Sequence, residues 1–132
     1  MKKGFLAGLF VSSTAATAGA STYIGEIGPF FDHKITSESL EVTSCVPQTR
    51  QLLFSVRKAG KYHMPKIAVE RLILHFQDHQ RVLEAHEIRG YRYFAIDLNQ
   101  QFGCPSRITL KGRNSGFNPG HSNYVYIDVE AQ

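Results

Sequence analysis

Long apolar stretches are missing from this chain after its first twenty residues. No later segment approaches the roughly 20 apolar residues that a membrane-spanning helix requires, so no membrane span is expected. Cysteine occurs only at Cys45 and Cys104, too far apart for the Cys-x-x-Cys of a thiol oxidoreductase. There is no Gly-x-Ser-x-Gly elbow to expose a nucleophilic serine, no internal repeat and no cofactor motif, and no cofactor is expected. Charge is also scarce. Fifteen basic residues against eleven acidic ones give +4, but two of the basic residues are Lys2 and Lys3, and without them the excess falls to +2. So small an excess does not point to nucleic-acid binding.

Lys2 and Lys3 open a segment with a different purpose. A basic start, a short apolar core over residues 4–11 and the small residues Ala18, Gly19 and Ala20 read as a secretory signal peptide spanning residues 1–20. The expected product is a periplasmic protein, or an extracellular one, whose single domain covers residues 21–132. In that oxidising compartment a lone cysteine pair in a small domain is expected to form a disulfide, with two free thiols as the rival state. Closing a loop of this length would contribute on the order of 4 kcal/mol in the chain-entropy account.

Short alternating segments dominate what remains. Residues 23–31 carry β-branched and aromatic residues interrupted by Gly and Pro, as an edge strand would. Residues 39–43 form at most a brief strand. Leu52, Phe54 and Val56 alternate as the inward face of a strand over residues 51–57. Residues 66–88 are ambiguous, because Val69, Leu72, Ile73, Phe76 and Leu83 approximate helical spacing. Their β-branched density and the polar interruption at residues 77–80 favour two strands, 67–76 and 81–88, joined as a hairpin. Phe94, Ile96 and Leu98, then Ile108 and Leu110, then Val125, Ile127 and Val129 mark the inward faces of three further strands. Six to eight such strands, each with one narrow apolar face, predict an all-β antiparallel sandwich.

The order of these features resembles a known family. Ile24-Gly25 near the mature start, Cys45 ahead of Leu52-Leu53-Phe54, Phe94-Ala95-Ile96-Asp97-Leu98, and the run from Cys104 through Ser106, Arg107, Ile108, Thr109 and Leu110 to Gly112 resemble the small YaaI-type periplasmic proteins of enteric bacteria, catalogued as a domain of unknown function. That resemblance implies a periplasmic β-rich domain with Cys45 paired to Cys104. It brings no catalytic residue.

Chemistry is sparse among the remaining residues. His75 and His79 would share a face if their segment were helical, yet nothing completes a metal site and none is expected. Ser115, His121, Ser122 and Asp128 are raw material for a hydrolase without its scaffold, and Asp97 and Asp128 could become cross-strand neighbours. The residues of most interest are Arg107, Lys111 and Arg113, spaced by two or four along one strand, together with the outward tyrosines Tyr91, Tyr93, Tyr124 and Tyr126 from strands expected to share its sheet. Arginine grips carboxylate or phosphate through paired hydrogen bonds, and tyrosine offers a flat face with a polar rim. The expectation is a non-enzymatic binding module of the envelope whose partner is an anionic glycan, a lipid headgroup or a protein. An inhibitor of a foreign hydrolase such as lysozyme, presenting His121 or Ser122, and a histidine-based metal binder are the alternatives.

Overall fold

The computed structural model describes residues 21–45, 48–58, 66–99, 103–116 and 124–132. The expected signal peptide over residues 1–20, His63, His121 and Ser122 lie outside them. The chain folds into eight strands: β1 (Thr22–Phe31), β2 (Thr36–Glu41), β3 (Gln51–Lys58), β4 (Ile67–His75), β5 (Gln80–Glu84), β6 (Tyr93–Asp97), β7 (Arg107–Asn114) and β8 (Tyr124–Ala131). They pair antiparallel in two four-stranded sheets, the first ordered β1-β8-β3-β6 and the second β2-β7-β4-β5.

Residues 66–88 are the two strands expected rather than a helix. Phe76 N donates to His79 O at 2.8 Å to close the hairpin, and Leu72 pairs with Leu83 on the inner side. The second strand of that hairpin is shorter than its apolar residues imply, because Ala85–Glu87 turns into a short 3-10 segment with no buried residue.

Each inner face follows the sequence alternation. Leu52 and Phe54 on β3, Phe94 and Ile96 on β6, Ile108 and Leu110 on β7, and Val125, Ile127 and Val129 on β8 are buried in one core between the sheets. Phe54 and Phe94 form a cross-strand pair with their rings stacked, centroids 4.8 Å apart. Burying a side chain of this size stabilises by roughly 1.5–3 kcal/mol.

Cys45 and Cys104 form the disulfide, with Cα atoms 6.1 Å apart. Cys45 lies in the connection from β2 to β3 and Cys104 in that from β6 to β7, and both connections pass from one sheet to the other. Thr49, a buried polar residue, places its hydroxyl 3.4 Å from Cys45 Sγ, and since only the hydroxyl carries a proton, it is the donor.

The sheet edges carry devices that discourage a further strand. β1 has two register shifts and contains Pro29. Glu38 on β2 and Arg81 on β5 pair with the buried residues Leu110 and Leu74, so each places a charge on the inner side of an edge strand. On β6, Arg81 Nη1 donates to Asp97 O at 2.6 Å. Gly90, at φ +103°, sits so close to Tyr93 O that a Cβ there would approach within 2.3 Å.

Two stability predictions follow from this packing. A Cβ on Gly112 of β7 would meet the backbone oxygen of Ala68 at 2.5 Å, so Gly112→Ala should cost about 1–3 kcal/mol, read as a lower urea midpoint with an unchanged slope. Replacing both cysteines by alanine should cost about 2–5 kcal/mol, and wild-type stability in that variant would show the staple to be dispensable.

Candidate functional site

The outer face of the second sheet carries the basic stripe. Arg107, Lys111 and Arg113 point outward from β7 between the buried Ile108, Leu110, Gly112 and Asn114. Antiparallel pairing sets opposite charges beside two of them. Arg107 Nη1 lies 3.8 Å from Glu41 Oε2 on β2, and Lys111 Nζ 3.6 Å from Glu70 Oε1 on β4. Arg71, next along the same face, lies 3.3 Å from Glu84. An open depression of about 290 Å³ is lined by Glu70, Arg71, Glu84, Ala85, His86 and Lys111. Both of its strongest cations are therefore already matched to carboxylates. Arg113 differs: its register partner on β4 is Ala68, and among the described residues its guanidinium donates to the neighbouring Asn114 carbonyl, at 3.3 Å, and contacts no carboxylate.

Between these ion pairs runs a polar chain that crosses all four strands. Gln80 Nε2 donates to His75 Nδ1 at 3.2 Å. The other ring nitrogen, Nε2, then carries the proton and donates to Thr109 Oγ1 at 3.0 Å. Thr109 in turn shares a 2.8 Å hydrogen bond with Ser39. Partial burial, reinforced by the guanidinium of Arg107, its register partner on β7, pushes the His75 pKa below its ordinary value, and Glu41 opposes the shift.

The tyrosines do not join this face. Tyr93 on β6 and Tyr124 and Tyr126 on β8 point from the outer side of the first sheet, on the opposite surface of the molecule. Tyr91 precedes β6 in the connection that crosses between the sheets. The expectation of one shared basic and aromatic face is thus corrected: alternation along a strand assigns a residue to a side of its own sheet, but not that sheet to a neighbour.

On the first sheet the aromatic rings pack against one another. Tyr124 meets Phe31 and Tyr126 at centroid distances of 5.9 Å, the second contact edge to face. Arg57 lies 5.1 Å above the Tyr126 ring while its Nε is 3.1 Å from Asp128 and its Nη2 contacts Glu26. Partial burial, then the Asp128 and Glu26 carboxylates, raise the Tyr23 phenol pKa.

Other candidates separate as well. Asp97 is paired with Gln51 and Asp128 with Ser55, so β3 stands between the two carboxylates. His79 bonds Asp78 at 2.7 Å and stacks on Phe76, while His33 and His86 lie near Asp32 and Glu87. Among the described residues no group of three His, Cys, Asp or Glu side chains converges to hold a metal ion.

One end of the sandwich, opposite the disulfide, gathers cations of another kind. Backbone pairing runs continuously across it. Thr36 pairs with Gly112, which sets Ile35 level with Arg113; Ser115 N donates to Lys66 O at 3.1 Å; and Ile67 N donates to Tyr91 O at 2.8 Å. Val56 N then donates to Arg92 O at 2.8 Å. Lys34, Lys66, Arg92 and Arg113 thus meet at this end, with Lys66 Nζ 4.8 Å above the Tyr91 ring. None of the four has a carboxylate within 4.0 Å among the described residues. Asp32, an acid at the same end, lies 3.5 Å from His33.

No family model matches this chain, and no curated protein or solved structure does either. Of the seven residues picked out by sequence, Arg113 and Tyr91 belong to the basic end. Lys34, Lys66 and Arg92 were missed, because they lie at or beyond strand ends, where alternation carries no signal.

The His75 chain generates a test. The unfolded histidine titrates near 6.5, and the folded value is lower, so the unfolded chain takes up the proton first as pH falls. Stability should be complete above about pH 6.5 and decline as pH drops through the window below it. The urea midpoint should therefore fall less between pH 7.5 and 5.5 in His75→Gln than in the wild type, and equal falls would remove His75 as the cause.

Proposed function

We propose that this protein is a non-enzymatic binding module of the bacterial envelope, exported by its signal peptide to the periplasm, that engages an anionic partner at the basic end of its sandwich. The observation that carries this reading is the division between paired and unpaired cations. Arg57, Arg71, Arg107 and Lys111, on the outer faces of the sheets, each contact a carboxylate of the same chain. Lys34, Lys66, Arg92 and Arg113 contact none among the described residues and meet at one end; Arg50 and Arg81 also contact none and lie toward the disulfide end, and Arg89 contacts none in the connection from β5 to β6. A cation whose charge is already answered has little left for a partner, whereas an unanswered one keeps its full attraction for phosphate or carboxylate.

The proposal fits the rest of the molecule. The inter-sheet core and the backbone hydrogen bonds across this end hold its strand ends in place, so little ordering of the backbone is needed to present the cations. The disulfide also accords with an oxidising compartment, and no helix among the described residues is long and apolar enough to cross a membrane.

Retention on immobilised heparin, used as a generic polyanion, tests the reading. Lys66→Ser, Arg92→Ser and Arg113→Ser combined should weaken binding about 10- to 100-fold, taking each exposed contact at the usual fraction of a kcal/mol to about 1 kcal/mol. Arg107→Ser with Lys111→Ser should change it little. Equal losses in both variants would return the site to the sheet face, and no retention of the wild type would end the proposal.

A further inference from the structure

We infer that the anionic partner is the surface of a lipid bilayer, which the four cations of the basic end face. The inference rests on the proposed role of that end and adds two observations to it.

The first is that the basic end carries apolar side chains of its own. Of the five large apolar or aromatic residues exposed among the described residues, Ile35, 43% exposed, and Tyr91, 53% exposed, belong to the same end as the four cations, whereas Tyr23 and Val82 lie away from it and Tyr93 projects from the outer face of the first sheet. Ile35 follows Lys34 in the corner between β1 and β2, level with Arg113, and Tyr91 lies between Lys66 and Arg92. Apolar and aromatic side chains alternating with lysine and arginine suit the boundary of a bilayer. The cations reach phosphate, the tyrosine ring settles among headgroups, and the isoleucine enters the acyl region. A soluble polyanion has no use for an exposed isoleucine.

The second is the spread of the charges. β2, β7 and β4 are neighbours in one sheet, and β6 belongs to the other. With strands about 4.8 Å apart and sheets about 10 Å apart, the four cations cover a patch roughly 10 Å on each side. The depression that the second sheet does carry lies elsewhere, on its outer face. Charges spread over a strand-end surface match a plane of headgroups better than one small anion, which needs donors converging on a point.

Two probes separate this inference from the reading beneath it. The disulfide-intact protein is sedimented with vesicles of phosphatidylcholine containing phosphatidylglycerol, and with vesicles of phosphatidylcholine alone, at low and high salt. Binding should require the anionic lipid and fall with salt. The combined Lys66→Ser, Arg92→Ser and Arg113→Ser variant should bind such vesicles about a hundredfold more weakly. Ile35→Ser should lower vesicle binding about fivefold while leaving heparin retention unchanged, a result that a general loss of structure would not give. Retention on heparin without binding to anionic vesicles would overturn the lipid inference and leave the basic end as a site for a soluble polyanion. Vesicle binding that survives the triple substitution would also overturn it, and failure to bind either probe would overturn both proposals.

Discussion

Burial of two apolar faces against each other governs this structure, because neither sheet is made from strands that follow one another in the chain. Only the β4 to β5 connection stays within a sheet; the other six each carry the chain from one sheet to the other. A sheet cannot therefore complete its ladder before its partner exists. Hydrogen bonding within the layers and packing between them must form together, and Phe30, Phe54, Ile27, Leu74 and Leu110, fully buried, are held from both sides at once. An apolar face only one strand wide would be too narrow to be stable, and the layered arrangement gives each strand its neighbours and its opposite layer in one step.

The disulfide gains its effect from this weave. It joins two of the crossing connections rather than two strands of one sheet, so it limits how far the layers can separate in the unfolded chain. It also fixes the end at which β2 and β6 finish and β3 and β7 begin. The opposite end has no such link, and its order comes from backbone hydrogen bonds such as Ser115 N to Lys66 O and Ile67 N to Tyr91 O. The edges follow the same economy: an inward charge on β2, another on β5 that also covers the end of β6, and irregularities in β1 make each edge a poor template for another strand.

Strand existence and inward faces were legible in the sequence, since burial on one side of a pleated strand imposes a period of two, and Ile108, Leu110, Val125, Ile127 and Val129 show it plainly. The hairpin at residues 77–80 was legible for the same reason, with a polar break between two β-branched runs. β2 extends three residues earlier than its sequence indicates, because Thr36, Ser37 and Glu38 gain order from pairing with Gly112, Lys111 and Leu110 rather than from any propensity of their own. Sheet membership was not legible. It depends on which strands meet after six crossings, and nothing in the pattern of β6 or β8 records that Tyr93, Tyr124 and Tyr126 would face away from Arg107 and Lys111. Arg113 was singled out for the stripe it shares least with.

Antiparallel geometry also accounts for where the unpaired charge ends up. Along a ladder, directly opposed side chains stand about 4.5–5.5 Å apart, so a basic residue on an outer face almost inevitably meets a neighbour from the next strand. Here Glu41 and Glu84 are the register partners of Arg107 and Arg71, Glu70 reaches Lys111 from the irregularity in β4, and on the first sheet Asp128 and Glu26 reach Arg57 from one and two strands away. At a strand end the ladder stops and no register partner is imposed. Lys34, Lys66 and Arg92, lying just outside their strands, have no such partner among the described residues, and Arg113, one residue from the end of β7, has the uncharged Ala68 and Ile35 beside it. A modest net charge is thus compatible with a concentrated local field: the acids that balance the total sit on the faces, where they are spent on their own neighbours. The frame that makes the sheet faces self-sufficient is the same frame that leaves its basic end open to a partner.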